Sequence, residues 1–194
     1  MNTKESIRQV MRETRKNMPL ENVRRFSDAA QRNILADPAW EKAESVGLYV
    51  AVRNETETEM LSENAWNTGK QVYFPYTPPK SCGIMHLLPC GPTDERKLNH
   101  FGIPEPMPKT CPLPEEGEES VPAIIIVPGV AFDVKGRRIG SGGGYYDRLF
   151  ARGSMRDTVR IGLAYSFQVL EEVPAEKWDA PMHAISTEEG LIWL

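Results

Sequence analysis

Cysteine is too scarce and too poorly spaced in this sequence to build a framework. Cys82, Cys90 and Cys111 are odd in number and show no Cys-x-x-Cys spacing, which argues against a disulfide scaffold and a zinc site. His86, His100 and His183 are scattered and form no local ligand pair, and nothing supports a Cys–His nucleophile. Long apolar runs are missing too, so no segment has the length needed to span a bilayer. The basic N-terminal residues follow an amphipathic pattern instead of the apolar core of a signal peptide, and the expected location is cytoplasmic, away from membranes. Nor is there an excess of positive charge. The formal net charge is −4, which gives no general attraction to nucleic acid, so a polyanionic ligand must be met by a local basic cluster. With no internal repeat and no linker, the 194 residues read as a single domain, 1–194, and as a monomer.

What the chain does have is one long, specific stretch, Val127-Pro-Gly-Val-Ala-Phe-Asp-Val-Lys-Gly-Arg-Arg-Ile-Gly-Ser-Gly-Gly-Gly-Tyr-Tyr-Asp-Arg-Leu-Phe150. An apolar β-branched run, Ala123-Ile-Ile-Ile-Val127, precedes it and reads as a buried strand. Tyr146, Leu149 and Phe150 close it at helical spacing. Strand, glycine-rich turn and helix together make an anion site, because glycines let backbone approach a ligand and helix-start amides point at negative charge. Arg137 and Arg138 add positive charge, and Asp147 adds a carboxylate suited to a cation beside phosphates. No Gly-Lys-Ser/Thr closes the loop, so it is not a Walker A motif. The glycines also stand too far from Val127 for a dinucleotide fingerprint.

Before this stretch, residues 3–16 read as a helix with an apolar stripe of Ile7, Val10, Met11 and Thr14. Lys4, Arg8, Arg12 and Arg15 line a second face, which by periodicity alone is a solvated one. A helix over about 20–36 turns Val23, Phe26, Ala30 and Ile34 inward and ends at Asp37-Pro38. Ser45–Ala51 reads as a strand, and a helix follows over about 58–68, where Thr56 and Glu59 have capping-box spacing. That box accounts for the acidic run Glu55–Glu59 as helix-start chemistry, and it explains Glu55 least well. Gln71–Pro75 and 83–88 read as strands. Residues 89–122 carry so many prolines that regular structure is excluded through most of them, with an acidic turn at Glu115–Glu119 and only Phe101–Pro106 pinned to the body. Thr158–Tyr165 reads as a strand, Ile185 as the start of an edge strand and Gly190–Leu194 as a last one. Helices alternating with short strands imply an α/β fold, a three-layer α/β/α domain around a largely parallel or mixed sheet.

The string from Val127 to Arg148 closely resembles the signature of the 5-formyltetrahydrofolate cyclo-ligase family, and the likeness covers nearly the whole chain. The family's fold is the same three-layer domain. The resemblance implies an ATP-dependent, magnesium-dependent ligase acting on a reduced folate. It gives ATP contacts to Lys4 and Arg8, through a match to the family's opening Lys-x-x-Leu-Arg, and to Gly136, Arg137, Arg138, Ile139, Gly140, Ser141, Gly142, Gly143 and Gly144. Arg12 and Arg15 keep the solvated reading. It gives substrate contacts to Val50, Glu55 and Phe101, with Tyr145 and Tyr146 either contacts or core. Arg138 and Asp147 take the catalytic roles, and Asp147 the Mg²⁺. A second magnesium-side acid of some relatives aligns with His183, whose imidazole is a poor ligand for a hard cation, so His183 stays out of the metal site. A sugar-phosphate isomerase or a non-catalytic folate or nucleotide sensor on a similar scaffold are the rival readings.

Overall fold

The computed structural model describes residues 3–78, 84–109 and 121–194. The first two helices are α1 (Lys4–Lys16) and α2 (Leu20–Leu35), and a short third, α3 (Pro38–Lys42), follows directly. Asp37 and Pro38 end α2 as expected, and they also start α3: the Asp37 carboxylate accepts from the Ala39 N–H at 2.8 Å, with Pro38 in the first turn. Then come β1 (Ser45–Gly47), α4 (Glu59–Asn67), β2 (Gln71–Tyr76), β3 (His86–Pro89), β4 (Arg96–Leu98) and β5 (Pro104–Pro106). The remainder is β6 (Ile124–Pro128), β7 (Ala131–Asp133), β8 (Arg138–Ile139), α5 (Tyr145–Phe150), β9 (Val159–Leu163), β10 (Val169–Leu170), β11 (Ala184–Thr187) and β12 (Gly190–Trp193).

Seven strands form the central sheet in the order β12-β11-β9-β6-β1-β2-β3. The five inner strands are parallel, and β12 and β3 close the two edges antiparallel. The sheet is covered on both sides, and β6 shows how. Ile124 and Ile126 pack with Ala30 and Ile34 of α2 and Leu61 of α4, while Ile125 and Val127 pack with Leu149 and Phe150 of α5. A strand buried on both faces needs no polar alternation, which is why this run is uninterrupted in the sequence. The three-layer α/β/α architecture is therefore present.

Several boundaries differ from expectation. In α1 the inward residues are Ile7, Met11 and Arg15, whereas Val10 and Thr14 face solvent. Ile185 lies in β11, which is internal because the β12 hairpin covers it. The capping box at Thr56 does not form. Thr58 is the N-cap of α4, its hydroxyl donates instead to the Tyr49 carbonyl at 2.6 Å, and the Thr56 hydroxyl is buried without a partner. Proline does not exclude the β4–β5 pair, because Pro104 and Pro106 sit in a two-stranded ribbon where a missing N–H is tolerated. Phe101–Pro106 is pinned through Glu105, which accepts from the Thr77 N–H at 3.0 Å and from Asn99 Nδ2 at 2.6 Å. Gly83 and the turn at Glu115–Glu119 lie outside the described residues.

Between β6 and the glycine run the chain inserts the β7–β8 hairpin, joined by β10 in a small second sheet. Ile7 and Met11 of α1 pack on it through Val130, Ala131 and Ile139, forming a satellite core apart from the main one. This is how α1 comes to lie against the glycine loop.

Candidate active site

The parallel strands specify where a ligand can go. From β1 the chain crosses to β2 on one side, and from β6 it crosses to β9 on the other. A crevice therefore opens beyond the carboxyl ends of β1 and β6, the place where open α/β sheets bind ligands. A cleft of about 960 Å³ occupies it, lined by Tyr49 and Val50 after β1 and by Pro128 and Gly129 at the end of β6.

One end of the cleft is the glycine run, anchored by β8 before it and α5 after it. Gly144 is the N-cap of α5 with φ of 66°, a left-handed conformation that a side chain strains. Gly140 is needed for closeness, since a Cβ there would stand 2.6 Å from Arg138 Nη1. Helix α1 runs alongside. Arg8 Nε donates to the Gly140 carbonyl at 2.9 Å, and Arg12 Nη2 donates to the Ser141 carbonyl at 3.0 Å. Arg148 donates to the Gly143 carbonyl from the other side. Lys4 Nζ is 2.7 Å from Asp179 Oδ2. Partial burial works to raise the Asp179 carboxyl, but the hydrogen bonds from Lys4 and the Glu176 N–H prevail and hold it below the usual range.

The floor is Arg138, with its side chain 5% exposed. Its Nη2 donates to Asp147 Oδ1 at 3.0 Å and its Nη1 to the Pro128 carbonyl at 3.3 Å, while Nε is buried without a partner. The guanidinium lies 5.5 Å from the centre of the Tyr146 ring. Burial drives the Tyr146 phenol well above its ordinary value, against the opposing pull of Arg138.

The other end is apolar with one acid. Glu55 Oε2 accepts from the Val52 N–H at 3.3 Å, and Oε1 is 3.6 Å from Arg15 Nη1. Burial raises the Glu55 carboxyl, and Arg15 opposes that shift most strongly. Tyr49 donates to the Thr56 carbonyl at 2.6 Å, and its phenol is also pushed up by burial. Phe101 is half exposed at the rim and meets Tyr145 edge to face, with centroids 6.2 Å apart.

Lys4, Arg8, Arg138, Ile139, the run from Gly140 to Gly144, Val50, Glu55, Phe101, Tyr145, Tyr146 and Asp147 thus share one cleft. Gly136 and Arg137 do not join them. Gly136 turns the β7–β8 hairpin with φ of 80° and its N–H on the Asp133 carbonyl. The Arg137 side chain turns to Asp133 at 2.7 Å and to Glu172 at 2.8 Å, because alternate residues of a strand point to opposite faces and Arg138 takes the inner one. His183 is likewise elsewhere: its Nδ1 accepts from the Arg160 N–H at 3.0 Å, and burial with the nearby Arg160 lowers its pKa.

Four lining residues escaped the sequence reading. Arg12 and Arg15 stand on a face that looks solvated, yet with Arg8 they fall at helical spacing, and the loop packs on that side. Trp178, 71% exposed, and Asp179 reach the cleft from the turn before β11. Pairing Asp179 with the basic start of α1 requires the tertiary structure. Among the described residues no three His, Cys, Asp or Glu side chains cluster to hold a metal.

An α/β sheet whose switch-point cleft joins a glycine loop ringed by basic groups to an aromatic, acid-bearing half defines a protein for an anionic ligand beside a flat one. Residues 1–188 match the 5-formyltetrahydrofolate cyclo-ligase family. The chain is 32% identical over 181 residues to 5-formyltetrahydrofolate cyclo-ligase of Escherichia coli K12, covering 92% of this chain and 96% of that one. It is also 32% identical over 190 residues to the protein of the same name from Haemophilus influenzae, covering 95% and 98%. The solved structure of Aquifex aeolicus 5,10-methenyltetrahydrofolate synthetase superposes with a TM-score of 0.80 at 30% identity, covering 98% of this chain and 92% of that one. The chain belongs to the 5-formyltetrahydrofolate cyclo-ligase family, and it is a ligase.

Proposed function

We propose that the protein converts 5-formyltetrahydrofolate and ATP to 5,10-methenyltetrahydrofolate, ADP and phosphate, as a cytoplasmic monomer acting on small molecules alone. The observation that carries this reading is the two-ended cleft, with basic groups and glycines at one end and Glu55 among aromatics at the other. Ring closure asks N10 to attack the N5-formyl carbon and expel its oxygen, a very poor leaving group. Transfer of the γ-phosphoryl group to that oxygen makes a phosphate that can leave. Such a transfer needs positioning and charge neutralisation more than covalent help, so a cleft without a nucleophile suffices.

In this reading Lys4, Arg8 and the backbone from Gly140 to Gly144 hold the phosphates. Arg138 lies where charge develops between the two ligands, and its orphaned Nε supplies a donor with nothing yet to bind. Val50, Tyr145, Tyr146 and Phe101 enclose the folate, and Glu55 accepts from pterin donors. Asp147 suits Mg²⁺: one carboxylate, 24% exposed beside the loop, together with nucleotide phosphates is a donor set this cation takes. When bound, Mg²⁺ would neutralise phosphate charge. The test is to incubate the protein with 5-formyltetrahydrofolate and Mg-ATP and follow the longer-wavelength absorbance of the conjugated product. No ATP-dependent change with folded protein would remove the reading, and binding of both ligands without turnover would leave a sensor.

A further inference from the structure

Arg15 is the least accounted-for charge in the molecule. It lies in the last turn of α1, its side chain is only 5% exposed, and its Nε is buried without a hydrogen-bond partner. Burying a guanidinium so incompletely satisfied is costly, and nothing about packing α1 requires it, because an apolar residue would complete the stripe of Ile7 and Met11. What faces it is Glu55, at 3.6 Å, itself nearly enclosed on the cleft wall.

The segment that carries Glu55 is also held from α1. Arg53 and Asn54 are consecutive non-glycine residues in the left-handed region, at φ of 53° and 57°. Such a pair persists only where its surroundings impose it. Here the Asn54 side chain donates to the Arg15 carbonyl at 2.9 Å, and the Glu55 N–H closes the turn on the Val52 carbonyl at 3.0 Å. Residue 15 therefore fixes Glu55 twice, by its backbone through Asn54 and by its charge through the carboxylate.

We infer that Arg15 is the positioning residue for folate recognition, keeping the Glu55 carboxylate ionised and turned into the cleft, where it can accept from donors on the pterin edge. This rests on the reading of Glu55 as a substrate contact. The groups facing Glu55 are Arg15 from α1, Arg53 from its own turn, and the phenols of Tyr49 and Tyr146. Burial keeps both phenols neutral through the range below, so the arginines alone supply opposing charge, and Arg53 is the exposed one. Burial disfavours the carboxylate, and a cation at this distance typically offsets such an effect by about one to three pH units.

The experiment measures KM for 5-formyltetrahydrofolate from pH 5 to 9 at saturating Mg-ATP, for wild type, Arg15→Met, Arg15→Lys and Glu55→Gln. In Arg15→Met the acid limb of 1/KM for the folate should move up by about one unit or more. KM at neutral pH should then rise roughly tenfold and recover toward alkaline pH, while KM for ATP stays within about twofold. Arg15→Lys should keep the limb near its wild-type position, and Glu55→Gln should abolish it. Should Arg15→Met fail to fold, Arg15→Gln retains a donor without the charge and must shift the limb in the same way. An unmoved limb in a folded, uncharged variant would overturn the inference and make Arg15 a structural residue. A wild-type protein that forms no product, or Glu55→Gln binding folate as well as wild type, would instead overturn the reading on which it rests.

Discussion

Asp147 has two partners to satisfy, and two substitutions separate them. In the free protein its Oδ1 takes the proton of Arg138 Nη2 at 3.0 Å, on a guanidinium whose side chain is 5% exposed. Asp147→Asn keeps an oxygen there but loses the charge. A hydrogen bond to a charged partner is worth about 1.5–3 kcal/mol and a neutral one about 0.5–1.5 kcal/mol, so the loss is about 1 kcal/mol. Asp147→Ala removes the acceptor and leaves Arg138 with the 3.3 Å bond to the Pro128 carbonyl. Breaking a fully buried pair costs about 3–5 kcal/mol, and the 24% exposure of Asp147 lets water recover part of it, leaving about 2–4 kcal/mol. At about 2–4 °C per kcal/mol for a chain of this size, the ligand-free melting temperature should drop by roughly 2–4 °C in Asn and roughly 6–12 °C in Ala. Turnover should not follow that order. Both variants fail to deliver a carboxylate to the cation, so both should fall by a similar large factor, on the order of 100-fold or more, and the apparent Mg²⁺ requirement should rise. Paired thermal melts and Mg²⁺ titrations at saturating substrates decide it. Near-normal turnover of Asp147→Asn with an unchanged Mg²⁺ midpoint would mean that Asp147 serves only as the partner of Arg138.

Lys4→Ala and Arg8→Ala should each raise KM for ATP by about ten- to a hundredfold with little change for the folate, since each removes a charge-assisted phosphate contact of about 1.5–3 kcal/mol; equal losses for both ligands would refute their assignment. Arg137→Ala, by contrast, should leave KM for ATP within about twofold, because that side chain is committed to Asp133 and Glu172 outside the cleft. Glu55→Gln should tighten the alkaline side of the stability curve. The folded-state carboxyl lies above its unfolded value, so in wild type the folded state binds more protons between the two values and stability falls as pH rises through that window. Ligand-free melts from pH 4 to 8 should show this fall shrink in the variant, and parallel curves would remove Glu55 as its source. Gly144→Ala should cost about 1–2 kcal/mol through its left-handed backbone and weaken ATP more than folate, as read from melting temperature and the two KM values.

The fold was legible wherever one local rule dominates. Ala123–Val127 announced a strand buried on both faces, and Ile7 with Met11 placed the inner side of α1. The alternation of helix and strand then constrained the layers. The position of the cleft was less so, since the crevice follows from β1 crossing one way and β6 the other, and strand order is absent from periodicity. Long-range pairing explains the remaining misses. Arg12 and Arg15 look solvated until the glycine loop and the Glu55 turn cover them, and Asp179 acquires its role only by meeting Lys4, 175 positions away. Arg137 and Arg138 are chemically alike in sequence, and only the pleat of β8 sends one inward and the other to Asp133.

Helix α1 touches the phosphate end of the cleft with Lys4, Arg8 and Arg12 and the folate end with Arg15, over about 17 Å at 1.5 Å per residue. Its own packing is confined mainly to the satellite core on the β7–β8 hairpin. It therefore works as a lever resting on a small fulcrum. A ligand that seats Lys4 and Arg8 also fixes the tilt that presents Glu55, and a folate that seats Glu55 steadies the basic end in return. The two affinities are then coupled through one rigid rod, and thermodynamic linkage requires the coupling to be equal in both directions.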